Sequence, residues 1–167
     1  MKEKIKKTCT IGMLTALYVV MSAFIKVPVF GHIVIDLGYF VFSCALSQYG
    51  VYGAIVGVVG CSLESILFTE YGFSLSWFVG NIIIGIGCGL CFSRQKKTWQ
   101  KIIVIILFVF FGMFVAKTVI DCALYSIPIV VKAPKSATAF LIDSLVMICG
   151  VVFWDKFGKK ITKSAQI

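Results

Sequence analysis

Acidic residues and histidine are scarce in this chain, and the scarcity limits the chemistry that it can perform. Its 167 residues contain seven aspartates and glutamates together, one histidine and three prolines. A single histidine cannot build a histidine-rich metal site, so we expect no bound metal. The sequence also has no H-E-x-x-H, G-x-S-x-G or glycine-rich phosphate loop, the signatures of common enzymes. We therefore expect that the protein is not an enzyme. A membrane protease that uses two acidic side chains remains an alternative.

Long polar segments are missing as well, which leaves no room for a separate soluble domain. Hydrophobic residues make up 60% of the chain, and the mean hydropathy is +1.02. Soluble domains contain only about 45–50% apolar residues. The composition therefore predicts an all-α integral membrane protein whose single membrane domain covers residues 1–167.

The positive charge is distributed in a way that predicts topology rather than nucleic-acid binding. Twelve of the 16 lysines and arginines fall into three clusters between apolar runs, and such clusters stay on the cytoplasmic side of a membrane. An even number of crossings must then separate the clusters, so both termini are predicted to be cytoplasmic. The clusters are Lys2, Lys4, Lys6 and Lys7; Arg94, Lys96, Lys97 and Lys101; and Lys156, Lys159, Lys160 and Lys163.

This orientation predicts a bundle of six transmembrane helices. We expect them at about 8–25, 36–48, 51–69, 74–92, 102–125 and 136–154, since about 20 apolar residues cross the hydrocarbon. Outer loops are expected over 26–35, which includes His32, and over 126–135.

The fifth predicted helix lies in the apolar stretch 102–131, whose only charged residues are Lys117 and Asp121. Burying a charge in a membrane costs at least about 2.5 kcal/mol on insertion scales. Four residues apart on a helix, the two side chains share a face and can neutralise each other. Two interpretations follow: an ion pair that joins helices, or part of a polar ligand pocket.

Other polar and aromatic residues favour the pocket. They come from several helices and fall in the outer half of the predicted bundle, whereas the inner halves carry no comparable charges. A concave site with apolar walls and a few convergent polar groups is typical of small-molecule binding. The candidate binding residues are Asp36, Tyr39, Glu64, Trp77, Asn81, Lys117, Asp121 and Asp143.

The first predicted helix has small residues at a spacing that allows another helix to approach closely. Gly12 and Ala16 lie on one face, and Val20 follows one turn later. Small residues at this spacing are typical of helix–helix contacts in membranes, where lipid provides little hydrophobic drive for association.

These features together resemble the S component of energy-coupling factor (ECF) vitamin transporters. The likeness rests on Gly12-x-x-x-Ala16, on the Lys26-Val27-Pro28 and Ile35-Asp36-Leu37-Gly38 segments, and on the glycine-rich stretch 53–57. It also rests on SLSWFVGNIIIG over 74–85, where the family's asparagine, here Asn81, often reaches the ligand. The chain departs from the family in having Gly12 in place of alanine and no proline in the inner turn after Gln48. Helices 5 and 6 match only in hydrophobicity and topology.

The resemblance implies a multi-pass protein of the plasma membrane of a bacterium. It would capture a vitamin or vitamin-like cofactor precursor at the outer face. It would then deliver the ligand inward with a transmembrane T subunit, docked at Gly12, Ala16 and Val20, and two cytoplasmic ATPases. This chain would bind no cofactor, because ATP is used by the partners. A structural or assembly membrane protein without a ligand, or a small channel or carrier, remains the alternative.

Overall fold

The computed structural model of the protein describes residues 2–30, 33–68, 72–95 and 97–158. His32 and four of the basic residues predicted to be cytoplasmic, Lys96, Lys159, Lys160 and Lys163, lie outside this part of the chain. The described elements are α1 (Lys2–Phe24), β1 (Lys26–Phe30), β2 (Ile33–Asp36), α2 (Gly38–Tyr49), α3 (Ala54–Phe68), α4 (Leu75–Arg94), α5 (Thr98–Val109), α6 (Lys117–Tyr125) and α7 (Ile129–Phe153).

The helical membrane class is confirmed by the length and composition of the helices. Within the described ranges, five helical segments are long and apolar enough to cross a membrane. One of them, Gly38–Phe68, contains two helices, α2 and α3, joined by a 3-10 turn over Gly50–Gly53.

The 3-10 turn folds α3 back against α2. A Cβ on Gly53 would come within 2.5 Å of the Ala45 carbonyl, and the Phe42 ring packs directly on Gly57. Gly50 adopts φ +57, a left-handed conformation that glycine reaches without steric cost. The chain therefore reverses direction here over only a few residues.

The core is built from large side chains seated on small ones. Tyr18, Tyr39 and Phe42 are fully buried and pack edge-on or tilted, with ring centroids 6.3–6.4 Å apart. Gly60 of α3 lies directly against the Tyr18 ring. Small residues let membrane helices approach closely where lipid gives no hydrophobic drive, so glycine supplies the close packing.

A π-helical segment, Phe110–Ala116, joins α5 to α6. A Cβ on Gly112 in this segment would come within 2.7 Å of the Gly80 carbonyl oxygen on α4. The two backbones are therefore almost in contact. Segments of π-helix are rare and often mark functional sites; this one ends where Lys117 begins α6.

Residues 26–35, predicted as a loop, contain strands. β1 and β2 pair antiparallel with Lys26 opposite Asp36, and the register shifts between Pro28 and Phe30. The hairpin carries the chain from the end of α1 to Asp36 at the start of α2.

Helix α7 begins at Ile129, so most of the predicted outer loop 126–135 is helical. The interpretation of this segment as a loop rested on Pro128 and Pro134. Pro128 instead precedes the first helical residue with φ −58 and ψ 133, a position that suits proline. Pro134 lies inside the helix, where its missing N–H removes one bond of the ladder. The earlier start places Lys132 on α7.

A buried ion pair closes the end of the bundle where α5 begins. Lys101 Nζ lies 2.9 Å from Asp155 Oδ1, and Thr98 Oγ1 donates to Asp155 Oδ2 at 2.9 Å. Both charged side chains are about 5% exposed. Asp155 belongs to a short π-helix, Trp154–Gly158, so the pair fixes the end of α7 to α5.

Candidate functional site

The site centres on a buried lysine placed over a tryptophan ring. Lys117 is 7% exposed, and its Nζ lies 3.4 Å from the centroid of Trp77 in the first turn of α4. A desolvated cation over an indole is stabilised by about 2 kcal/mol or more. The contact therefore offsets part of the cost of burying the Lys117 charge.

Two tyrosines extend the aromatic wall below Trp77. The Tyr39 ring, in the first turn of α2, lies 6.5 Å from the Trp77 ring and 6.3 Å from the Tyr18 ring. The Tyr39 hydroxyl donates to Met113 Sδ at 3.8 Å, a weak bond that uses up its one proton. Tyr39 thus contributes an apolar face to the site.

Asn81 presents a buried acceptor close to these rings. Its Nδ2 donates to the Trp77 carbonyl oxygen at 3.0 Å. Its Oδ1 has no hydrogen-bond partner among the described residues, although the whole side chain is buried. Buried polar atoms are almost always bonded, so the Asn81 amide is available to a ligand or a water.

Further unpaired polar atoms come from α6 and α7. Asp143, 3% exposed, interacts electrostatically with Asp36 and Lys117. No partner among the described residues satisfies Asp143 Oδ2 or the buried hydroxyls of Thr118, Ser136 and Ser144. An unpaired buried hydroxyl or amide costs about 1–3 kcal/mol. A ligand with several donors and acceptors would relieve that cost.

We define the polar cluster as Trp77, Asn81, Lys117 and Asp143, which come from α4, α6 and α7. They are linked by the Lys117–Trp77 contact, the hydrogen bond from Asn81 to Trp77 and the electrostatic interaction of Lys117 with Asp143. Four of the eight predicted site residues belong to it, and Tyr39 packs on its aromatic face.

Asp36 forms hydrogen bonds where α1 and α2 meet, and it also interacts electrostatically with Asp143. One of its carboxylate oxygens accepts from Ser22 Oγ at 3.0 Å, and the other accepts from the Gly38 backbone N–H at 2.7 Å. These bonds join α1 to the start of α2. A carboxylate at a helix N-terminus also interacts favourably with the helix dipole.

Asp121 pairs with a lysine other than Lys117, so the structure does not contain the Lys117–Asp121 ion pair that was one of the two interpretations of these residues. It forms an ion pair with Lys132 of α7, and both side chains are largely buried, at 7% and 17% exposure. The sequence did not indicate this partner, because Lys132 falls in the segment predicted as a loop, whereas the early start of α7 brings it onto Asp121.

Glu64 and the small-residue face of α1 are not part of the polar cluster. Glu64 is half-buried on α3 and interacts electrostatically with Tyr18. Gly12, Ala16 and Val20 are all exposed, and a Cβ on Gly12 would meet nothing within 4 Å. The face is open along its length in the described structure.

Sequence reasoning missed the hydroxyls of Thr118, Ser136 and Ser144, together with Lys132. A periodicity signal existed for two of them: Thr118 lies three residues before Asp121, and Ser136 lies seven residues before Asp143. Residues at these spacings share a helix face.

Two other features do not add to the site. Among the described residues, no three histidine, cysteine or acidic side chains lie together as a metal would require. An apolar groove of about 560 Å³ lies elsewhere, and none of its lining residues belongs to the polar cluster. It is lined by Ile103, Ile106, Leu107, Phe110, Phe111 and Phe140.

Comparison with known proteins agrees with the helical membrane architecture. Residues 2–158 match the family model described as ECF-type riboflavin transporter, S component. Among solved structures, the chain is similar to the S component for biotin from an ECF-type ABC transporter. The TM-score is 0.69 at 18% sequence identity, over 95% of this chain and 93% of that chain, which shows a shared fold. The family is a class of transporter subunit and not a class of enzyme. The chain therefore belongs to the ECF-type riboflavin transporter S component family, vitamin-binding membrane subunits of ECF-type ABC importers.

Proposed function

We propose that the vitamin bound by this chain is riboflavin and that it occupies the polar cluster. The observation that carries the proposal is the buried Lys117 ammonium over Trp77, together with buried polar atoms without partners on the same three helices, α4, α6 and α7. Keeping a charge and several unsatisfied atoms inside a membrane protein is costly. A ligand that satisfies them gains affinity from the same groups.

Riboflavin has the chemistry that this cluster accommodates. Its ring system is flat and aromatic, and one edge carries two carbonyl oxygens around an N–H. Trp77 and Tyr39 form an aromatic wall beside which the ring can lie. Lys117, on the face of Trp77, donates to a carbonyl, and Asn81 Oδ1 accepts from the N–H. The hydroxylated side chain of the vitamin meets Thr118, Asp143 and Ser144. We place Asp36, Glu64 and Asp121 at the margin of the site.

The membrane arrangement that we propose has six crossings, with α2 and α3 as separate spans and both termini in the cytoplasm. The twelve clustered basic residues support this orientation. It places the polar cluster in the outer half of the bundle, facing the side from which a bacterial cell takes up vitamins.

Transport requires partners, and the exposed face of α1 is our candidate for docking one of them. Gly12, Ala16 and Val20 would contact the transmembrane T subunit, while two cytoplasmic ATPases bind and hydrolyse ATP. The open space beside Gly12 supports this assignment, because a second helix could approach its backbone closely. This chain contributes ligand binding and conformational change, with no cofactor of its own.

Fluorescence titration of purified chain in detergent tests the ligand. Flavin emission is quenched when the ring packs on tryptophan or tyrosine, so riboflavin should be quenched with a stoichiometry of one per chain. Biotin should compete poorly, although a relative of this fold binds it. Tight binding of biotin, or failure of the folded protein to quench riboflavin, would contradict the proposal.

A further inference from the structure

The arrangement of charges around Lys117 depends on a residue that is outside the polar cluster. Asp121 lies one turn after Lys117 on the same helix, a spacing at which lysine and aspartate side chains can pair. Its carboxylate is instead paired with Lys132 of α7. Lys117 Nζ lies over Trp77, and among the described residues it forms no ion pair.

Asp121 therefore has two possible cationic partners, and only one choice leaves Lys117 on the indole. Removing one member of a buried ion pair leaves an uncompensated charge, which is strongly unfavourable. Without Lys132, the Asp121 carboxylate would be buried beside one remaining lysine. Lys117, which already interacts electrostatically with Asp121, would be drawn from Trp77 towards it.

Other charged groups near Lys117 do not remove this competition. Lys117 interacts electrostatically with Asp143, then Lys132, then Asp121. Asp143 attracts Lys117 equally whether or not Lys132 is paired with Asp121, so Asp143 does not affect the comparison. Loss of Lys132 changes two of the electrostatic interactions of Lys117. It leaves the Asp121 carboxylate without its lysine partner, and it removes a cation that repels Lys117. Both changes favour pairing between Lys117 and Asp121.

We propose that Lys132 is a positioning residue for ligand binding: by neutralising Asp121, it keeps Lys117 on Trp77, where Lys117 can serve the ligand. The inference rests on the proposed function, because it assumes that Lys117 contacts the vitamin. Lys132 itself touches no ligand in this account. Because Lys132 lies near the start of α7, its ion pair with Asp121 also joins the beginning of α7 to α6.

Two variants separate this role from that of a simple tether between helices. Lys132→Met should weaken riboflavin binding by about tenfold or more, because Lys117 is captured by Asp121. The double variant Lys132→Met with Asp121→Asn has no carboxylate to capture Lys117. Its affinity should return to within about threefold of the parent. Lys135→Met, an exposed residue of the same helix, is the matched control and should bind like the parent.

If the Lys132–Asp121 ion pair only held α6 and α7 together, the double variant should bind as weakly as the single variant, because both lack that ion pair. Equal weakening in the single and double variants would therefore overturn the proposal. Parental affinity in Lys132→Met would overturn it as well.

A ligand-free measurement distinguishes failure of this inference from failure of the proposed function. In a chain with Trp99→Phe and Trp154→Phe, Trp77 is the single tryptophan, so its emission reports the cation on its face. Lys132→Met should shift that emission, and adding Asp121→Asn should restore it. If the parent does not bind riboflavin, the ligand assignment fails, and this measurement still tests the inference. Unchanged emission in Lys132→Met would show that Lys117 stays in place and would overturn it.

Discussion

Replacing Lys117 by methionine should separate ligand binding from folding. Methionine keeps most of the length of the side chain while removing the charge from a site that is 7% exposed. Because Asp121 is paired with Lys132, the substitution does not leave that carboxylate without a partner. An ion pair between Lys117 and Asp121 would have made the same change cost about 3–5 kcal/mol.

The expected effects on stability and affinity differ in size. Removing Lys117 loses a desolvated cation–π contact of about 2 kcal/mol. It also removes a membrane charge that costs at least about 2.5 kcal/mol. These two contributions nearly cancel. Loss of the electrostatic attraction between Lys117 and Asp143 should then make the variant modestly less stable, and the protein should remain folded. The lost charge-assisted hydrogen bond to riboflavin is worth about 1.5–3 kcal/mol, a weakening of roughly ten- to 150-fold.

Flavin quenching gives the affinity, while size-exclusion chromatography and thermal unfolding in detergent give the stability. Lys135→Met removes an exposed charge from α7 and serves as the control for both measurements. A well-folded Lys117→Met protein with parental affinity would refute the placement of Lys117 against the ligand. An aggregated protein would refute the argument that its charge is dispensable for folding.

Three further predictions concern the remainder of the bundle. Gly12→Leu should abolish copurification with the T subunit and leave riboflavin affinity unchanged, because a Cβ at Gly12 contacts no other atom of the described chain within 4 Å. Gly57→Leu should instead destabilise the isolated chain, because its side chain would overlap the Phe42 ring. Lys101→Met should lower the free energy of unfolding by about 3–5 kcal/mol, because it removes the cation that neutralises the buried Asp155 carboxylate. Adding Asp155→Leu should recover most of the loss, and a double variant as unstable as the single one would count against this explanation. In a cysteine-free chain, Lys97→Cys should react with an impermeant thiol reagent only after permeabilisation; labelling in intact cells would reverse the proposed orientation.

Several parts of the site could be predicted from sequence because hydrophobic context makes polar residues conspicuous. Four of the predicted residues interrupt apolar runs: Trp77, Asn81, Lys117 and Asp143. The predicted direction in which each helix crosses the membrane is enough to compare the depths of these residues. Their association in the structure follows from that comparison, since the helices that carry them pack together. Tyr39 is predicted as part of an aromatic wall of the pocket, and its ring packs against Trp77.

The choice of ion-pair partner could not be predicted, because it depends on where α7 begins. Pro128 and Pro134 indicate a loop when the sequence is considered alone. Only tertiary packing decides that the helix starts at Ile129 and carries Lys132 to Asp121. A spacing of four residues makes Lys117 a possible partner for Asp121, but spacing does not exclude a competing lysine from another helix.

The π-helix over Phe110–Ala116 also could not be predicted from the sequence pattern. Its seven residues are apolar apart from Gly112, and nothing in that composition distinguishes a π-helix from an α-helix. The close approach of Gly112 to Gly80 shows what this segment achieves in packing. That contact becomes visible only when both backbones are placed.

Identification of the small molecule retained by the purified chain tests the central claim most directly. The protein should be produced in cells supplied with riboflavin, purified in detergent and denatured, and the released compounds analysed by mass spectrometry. We expect riboflavin in an amount close to one molecule per chain, and its loss from the Lys117→Met variant. Stoichiometric release of a different vitamin, or of none from a well-folded protein, would contradict the proposal.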